Sequence, residues 1–253
     1  LHLHVYLFEQ TGNFGNGKVY ETNQIESNWI NIPERILLLE KREVIKFSEL
    51  QIPSFPSYHQ WTEKDIEKQS KEQVDNYPPR AKIGTYLQER LHSIITPLQE
   101  NNIVTLVKDK VEKVSLSEDY KVSIATKTED YNDLDEILLT IGHQPTELSD
   151  QLLEWKEFVS NKNQLALFTS PYPIRNFLNH TNLTGKSIVG IRGFGLAMID
   201  VARAIAQQFG KFTIKDDYTR KCTFTPNENY KGKMIPFSLD LSLIHICEPT
   251  RRS

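Results

Sequence analysis

The sequence predicts an α/β fold, and three stretches carry that expectation. Residues 187–191 form a short apolar run, Gly193-Phe194-Gly195 follows, and residues 196–209 then show helical spacing in Leu196, Ile199, Ala202, Arg203 and Ala206. Residues 103–139 read as successive strands, with period-two alternation on either side of the turn Ser117-Glu118-Asp119-Tyr120. Residues 1–8 are an apolar strand that closes at Glu9, ahead of a loop holding Gly12, Gly15 and Gly17. A strand, a glycine turn and a helix in succession bring backbone N–H groups and the positive end of a helix to one point. That arrangement receives a pyrophosphate. Met198 stands at the third position of the fingerprint, where glycine or alanine is usual, so the stretch taken alone is equally a tight turn with no ligand.

The chain of 253 residues carries a net charge of -3, with 38% hydrophobic and 25% charged residues, the balance of a globular protein with ample core. That charge offers no basic field for nucleic acid or for an anionic membrane surface. No apolar run approaches the roughly 20 residues that span a bilayer. Two cysteines, Cys222 and Cys247, leave no disulfide framework and no clustered thiolate metal site, and they point to a reducing, cytoplasmic setting.

His2 and His4 share one face of the first strand and, with no acid or thiol beside them, read as strand-face histidines rather than a metal pair. Glu9 stands where the acid closing the second strand of a dinucleotide fold accepts from an adenosine ribose, and it is equally an ordinary strand-end acid. Residues 51–77 leave the core pattern: 52–61 are rich in proline and aromatics, and 62–74 predict a charged helix with Thr62 as N-cap. Tyr58, His59 and Trp61 are either pocket residues or the aromatic foot of that helix. A helix over 83–98 puts Tyr86, Leu87, Leu91 and Ile94 on one face, and Arg80 ahead of it suits a cofactor phosphate or a surface acid. Strands follow at 104–106, 111–116, 121–126 and 136–140, then a polar helix or linker over 149–163 and a short strand at 165–168. Beyond the 187–209 unit, a strand at 211–214 closes in Asp216 and Asp217, and 222–240 is rich in β pattern. Asp216 lies about 20 residues past the first glycine, where an acid accepts from the ribose hydroxyls of NAD. Lys215, Arg220 and Lys221 would accommodate the extra phosphate of NADP.

Phe8-Glu9, with Phe14-Gly15-Asn16-Gly17-Lys18-Val19-Tyr20 after it, resembles the FAD-NAD(P)-binding flavoproteins, within the larger group of flavoenzymes that have two dinucleotide-binding domains. Arg80 ahead of Gly84-Thr85-Tyr86-Leu87 is similar to the family pattern, and so is the run from Ile137 through Thr140-Ile141-Gly142 to Pro145. Tyr172-Pro173, Gly185-Lys186 and Gly193-x-Gly195-Leu196-x-x-x-Asp200 extend the resemblance over roughly residues 1–240. It implies a Rossmann-like FAD module with an antiparallel β-meander over residues 1–180, interrupted by 51–77, and a partial Rossmann-like NAD(P) module over 181–240. Family members have a first strand and a GxGxxG helix, about 30 residues, ahead of the point that matches Leu1. Residues 241–253 resemble a translated sequencing-adaptor end and read as non-native.

The same resemblance implies FAD contacts at Glu9, Gly15, Gly17, Val111, Thr140 and Gly142, and NAD(P) contacts at Gly193, Gly195 and Asp216. Val111 would offer its backbone to the adenine. Asp200, inside the helix, either fixes a loop across the domain interface or caps a polar face. The implied activity is that of an FAD-dependent oxidoreductase. NAD(P)H reduces a bound flavin, which passes electrons to a small-molecule acceptor or, with oxygen, to a substrate as a monooxygenase does. A non-catalytic nucleotide-binding module, or an inactive fragment of such an enzyme, stands as the alternative. No Cys-x-x-Cys is present, and no residue declares itself as a catalytic acid or base or as a metal ligand.

Overall fold

The computed structural model describes residues 3–47, 49–63, 75–142 and 146–238. It is a mixed α/β molecule with small sheets, four of two strands and one of three. Contacts divide it into two compact units. One takes the described residues of Leu1–Thr22, Leu37–Ile66 and Lys82–Thr146, the other those of Asn23–Ile36, Glu67–Ala81 and Glu147–Ser253.

In the first unit, strand β1 (Val5–Phe8) lies parallel to a strand that follows a long helix. β2 (Ile45–Phe47) and β3 (Leu50–Ile52) form a hairpin. The single turn α1 (Tyr58–Trp61) is held by a capping box in which Ser57 and Gln60 satisfy each other's backbone N–H groups. Helix α2 (Arg80–Glu100) buries Ile83, Gly84, Tyr86 and Ile95. The chain turns at Asn102, whose φ is +56°, and enters β4 (Val104–Val107), which pairs with β1 in the register Val5 to Val104 through Phe8 to Val107. Aromatics fasten α1 to α2. Tyr58 and Trp61 meet the ring of fully buried Tyr86 edge-on, and the Tyr86 hydroxyl donates to the Pro56 carbonyl at 2.9 Å. These rings thus pack on α2, while the charged helix whose foot they would form lies mostly outside the described residues.

The meander is β5 (Val111–Leu116), β6 (Val122–Thr126) and β7 (Asp130–Leu134), all antiparallel. The alternation in β6 is realised as buried Val122, Ile124 and Thr126. The strand expected after the meander, 136–140, does not form: its residues are irregular and exposed, Leu138 at 86%. β7, which the sequence pattern did not mark, takes the third place in the meander, and none of the described strands pairs with 136–140, so its apolar run has no ladder to join. Thr62 is likewise the C-cap of α1 rather than the N-cap of a following helix. Most of that expected helix, 64–74, lies outside the described residues.

In the second unit, α3 (Asp150–Ser160) occupies the expected polar stretch, and 165–168 carries no strand. α4 (Arg175–Leu178) precedes β8 (Ile188–Arg192), α5 (Leu196–Phe209) and β9 (Gly210–Ile214), with β10 (Cys222–Pro226) and β11 (Lys233–Phe237) closing the unit. β8 pairs in parallel with β11, whereas β9 pairs antiparallel with β10. Ile174, Phe177, Val201, Ala204 and Ile205 form its core, with Val189, Ile191 and Met234 packed against them. α5 matches the expected boundaries, but its buried face is rotated. Asp200, Val201, Ala204, Ile205 and Ala206 are inside, while Leu196 is 50% and Ile199 42% exposed. The inner face is a second apolar stripe, Val201, Ala204 and Ile205, with the acid Asp200 buried beside it.

Candidate functional site

The first glycine loop runs from the end of β1. Glu9 folds back on it: Oε2 accepts from the Thr11 N–H at 2.7 Å, the Thr11 hydroxyl at 2.6 Å and the Asn13 N–H at 3.0 Å. The acid therefore shapes the loop with one of its two oxygens. Gly15 has a φ of +101°, and a Cβ there would stand 3.0 Å from Leu91 Cβ and 3.1 Å from the Leu87 carbonyl, so the loop lies directly on α2. Gly17 opens on free space at a φ of +61°.

Asn16, between these glycines, was not singled out by sequence. It is 5% exposed and donates through Nδ2 to the Tyr20 carbonyl at 3.2 Å, yet its Oδ1 is buried with no hydrogen-bond partner. A buried acceptor without a donor is costly, and it suits a site whose ligand carries N–H or O–H groups. Gly84 serves the same loop from the α2 side: a Cβ there would sit 1.8 Å from the Tyr20 carbonyl oxygen. Only a glycine lets the helix approach so closely.

The remaining first-unit candidates are separate in character. Val111 opens β5, pairs with Thr126 and stands at a register shift. Thr140 and Gly142 are exposed in the irregular stretch after β7, and His143 to Pro145 lie outside the described residues.

The second turn lies between β8 and α5. The Gly193 N–H donates to the Phe237 carbonyl at 2.7 Å, which ties the turn to the end of β11. Gly193 has a φ of +97°, and a Cβ on it or on Gly195 would meet nothing within 4 Å. Gly195 is the N-cap and offers no side-chain acceptor to the first-turn N–H groups of a 14-residue helix. Open space over both glycines and an uncapped helix start together fit a phosphate. Asp216 does something more local: Oδ1 accepts from the Tyr218 and Thr219 N–H groups at 2.9 and 2.8 Å. Those bonds, the Thr219 N–H first, hold its carboxyl below the ordinary range.

Three segments of the second unit meet on Asp200, which is 5% exposed. The Tyr172 hydroxyl donates to Oδ2 at 2.6 Å, Arg80 Nη2 stands 3.5 Å from the same oxygen, and Arg203 Nη1 is 3.7 Å from Oδ1. Arg80 also donates through Nε to the Trp29 carbonyl at 3.1 Å and lies over the Tyr172 ring, its Cζ 5.3 Å from the centroid. Arg203 covers the Trp29 ring at 4.2 Å and donates to the Ser27 carbonyl at 2.9 Å. Burial first, and then the Asp200 carboxylate that holds its proton, push the Tyr172 phenol up to about 12. Arg80, Tyr172 and Asp200 each stood in a separate motif of the sequence, and the structure makes them one network. Arg80's acid is thus a buried one, not a surface one.

A groove of about 470 Å³ runs beside the same helix between Trp29, Pro79 and Gln207, and it includes neither glycine turn. Among the described residues no helix is long and apolar enough to cross a membrane.

A family model described as FAD-NAD(P)-binding matches residues 1–144. The match takes in Glu9, the Gly15 loop, Val111, Thr140 and Gly142, and it ends ahead of the Gly193 turn. No curated protein matches the chain.

Proposed function

The chain belongs to the FAD-NAD(P)-binding family, whose cofactors are FAD and NAD(P), and from that premise we propose that it is an FAD-dependent oxidoreductase whose flavin is reduced by NAD(P)H. The observation that carries the reading is the pair of glycine turns. One lies inside the family match and holds the unpartnered Asn16 Oδ1, and the other opens α5 with no side-chain cap. Two turns of this kind suit two nucleotide ligands. The finer architecture belongs to the same proposal: a Rossmann-like FAD module over residues 1–180 and a partial Rossmann-like NAD(P) module over 181–240.

When bound, FAD supplies the ring that accepts hydride and passes electrons on. The chain's own residues bind and orient. Gly15 and Gly17 give the ligand access to the loop backbone, Asn16 Oδ1 accepts from a ligand hydroxyl or amine, and the Glu9 oxygen not engaged by the loop accepts from a ribose. Backbone at Val111, Thr140 and Gly142 completes the flavin side. Gly193 and Gly195 leave open space that lets the pyrophosphate of NAD(P) approach the N–H groups at the start of α5, and Asp216 accepts from the ribose through the oxygen not used by its own turn. The electron acceptor is a small molecule, oxygen included if the chemistry is that of a monooxygenase. The proposed setting is the cytoplasm.

The test is an absorbance spectrum of the protein incubated with FAD and freed of excess, before and after anaerobic NADH or NADPH. A flavin band that bleaches with either nucleotide is the expected result, and the faster reductant names the preferred one. A protein that takes up FAD but is reduced by neither overturns the NAD(P)H step. One that takes up no FAD overturns the whole reading in favour of a nucleotide-binding module.

A further inference from the structure

The Asp200 network carries two guanidinium groups against one carboxylate, and its third member, Tyr172, is a neutral phenol that donates its proton to the acid. The network is confined: Arg80, Asp200 and Arg203 side chains are 17%, 8% and 23% exposed. An excess positive charge therefore sits in a partly desolvated place, where it is screened less than on the surface.

Its position along α5 gives this charge a consequence. Asp200 follows the Gly195 cap by five residues, about 7.5 Å along the axis at 1.5 Å per residue. A bare carboxylate there would oppose any anion drawn to the helix start and cancel part of the helix dipole. Yet this acid is inside, on the buried face it shares with Val201, Ala204 and Ile205, and it is the arginines that reverse its sign.

We infer that Arg80 and Arg203 set the affinity of the Gly193 turn for an anionic ligand through charge, by converting the acid of α5 from a repelling into an attracting element for phosphate. The inference rests on the proposed nucleotide-binding role of that turn. It assigns the arginines no contact with the ligand; both are held by Asp200 and by the Trp29 and Ser27 carbonyls. They act as specificity determinants at a distance.

Charge and scaffolding predict opposite results for one substitution. Asp200→Asn keeps an acceptor for Tyr172 and removes the negative charge, so it tightens NAD(P)H binding. If the network only held the turn in place, the same change would loosen the turn and weaken binding. Arg80→Gln weakens binding, and Arg80→Lys, which keeps the charge and loses the fork, restores it. Tyr172→Phe removes a hydrogen bond and no charge, so it lowers the melting temperature and leaves nucleotide affinity in place. A unit charge at about 7.5 Å, screened at physiological salt, moves the dissociation constant roughly three- to fivefold in each direction.

The experiment is a fluorescence titration of the full chain with NADH and with NADPH, at low and at physiological salt. Each variant's fold is checked by circular dichroism, and Gly193→Val is run beside them. Loss of binding in Gly193→Val, with Asp200→Asn tighter and Arg80→Gln weaker than wild type, is the expected outcome. Loss in Gly193→Val with Asp200→Asn weakened like Arg80→Gln overturns the charge inference and leaves the nucleotide site standing. Unchanged binding in Gly193→Val overturns the site assignment and the inference with it. Should Asp200→Asn fail to fold, the Arg80→Gln and Arg80→Lys pair decides: affinity that does not follow the charge refutes the inference.

Discussion

Replacing Gly84 by alanine is the sharpest single test of how the first glycine loop is built. The added Cβ would fall 1.8 Å from the Tyr20 carbonyl oxygen and 2.9 Å from its carbon, both backbone atoms that cannot rotate away. Reaching an ordinary contact requires α2 and the loop to part by roughly 1.5 Å. That opening disturbs the burial of Ile83 and Tyr86, which are 2% and 0% exposed on the same turn. Overpacking of this kind costs about 1–3 kcal/mol or more. Helix propensity works the other way, since alanine in a helix interior is favoured over glycine by about 1 kcal/mol. The clash is with backbone and the gain is local, so the clash wins and the net loss is about 2 kcal/mol. In a chain of this size that lowers the melting temperature by about 4–8 °C. Because the Tyr20 carbonyl also receives the Asn16 amide, the displacement spreads to Asn16, and flavin uptake falls in the same variant. Thermal melting followed by circular dichroism, with flavin content per chain, reads both. A Gly84→Ala protein as stable as wild type, or more so, would mean that propensity rather than close approach governs this position, and the account of the loop would fail.

Asn16→Ala removes an acceptor that has no partner in the protein, so it weakens FAD binding by about tenfold, the size of one hydrogen bond to a buried group; equilibrium titration with FAD checks it, and unchanged affinity would place the cofactor elsewhere. Burial and the Asp200 carboxylate push the Tyr172 phenol up to about 12, and absorbance titration at 295 nm should lose a step near there in Tyr172→Phe. The sign for stability follows, because a pKa raised on folding contributes below the unfolded value of about 10 and is lost between there and about 12. The stability gap between wild type and Tyr172→Phe should accordingly be constant from pH 7 to 9 and narrow above pH 10, and a gap that widens with pH contradicts the Asp200 hydrogen bond. Asp109 is held down to about 2, chiefly by the Thr128 and Thr126 hydroxyls. Thr128→Val should raise it toward the ordinary carboxylate range in a carbon-13 NMR titration, and no movement would leave the turn before the meander without its explanation.

What the sequence discloses here is what local physics decides. The boundaries of α5, the alternation of β6, the end of β1 ahead of Glu9 and the long helix near Arg80 follow from periodicity and turn residues, and the structure holds each of them. The strand expected at 136–140 does not form, for a complementary reason. Ile137-Leu138-Leu139 is the more apolar run, but Asp130–Leu134 is the one that finds a partner in β6. A strand exists by pairing, and composition does not reveal the pair. The inner face of α5 shows the same limit more sharply. Spacing alone puts Leu196 and Ile199 inside, since an acid on a buried face is unfavourable when considered with its neighbours in sequence. Its true neighbours are 120 and 28 residues away, Arg80 and Tyr172. Once a phenol and two guanidinium groups satisfy the carboxylate, burying it is permissible, and the stripe of Val201, Ala204 and Ile205 beside it can enter the core. The three motifs were each visible as words in the chain, in Arg80, in Tyr172-Pro173 and in Asp200. The reason for all three is one interaction, and it exists only where the fold brings them to the same carboxylate. A Tyr172→Phe, Asp200→Asn double-mutant cycle should therefore show coupling well beyond the scatter of independent sites, about 1 kcal/mol or more. Additive losses would mean that the three motifs persist for separate reasons.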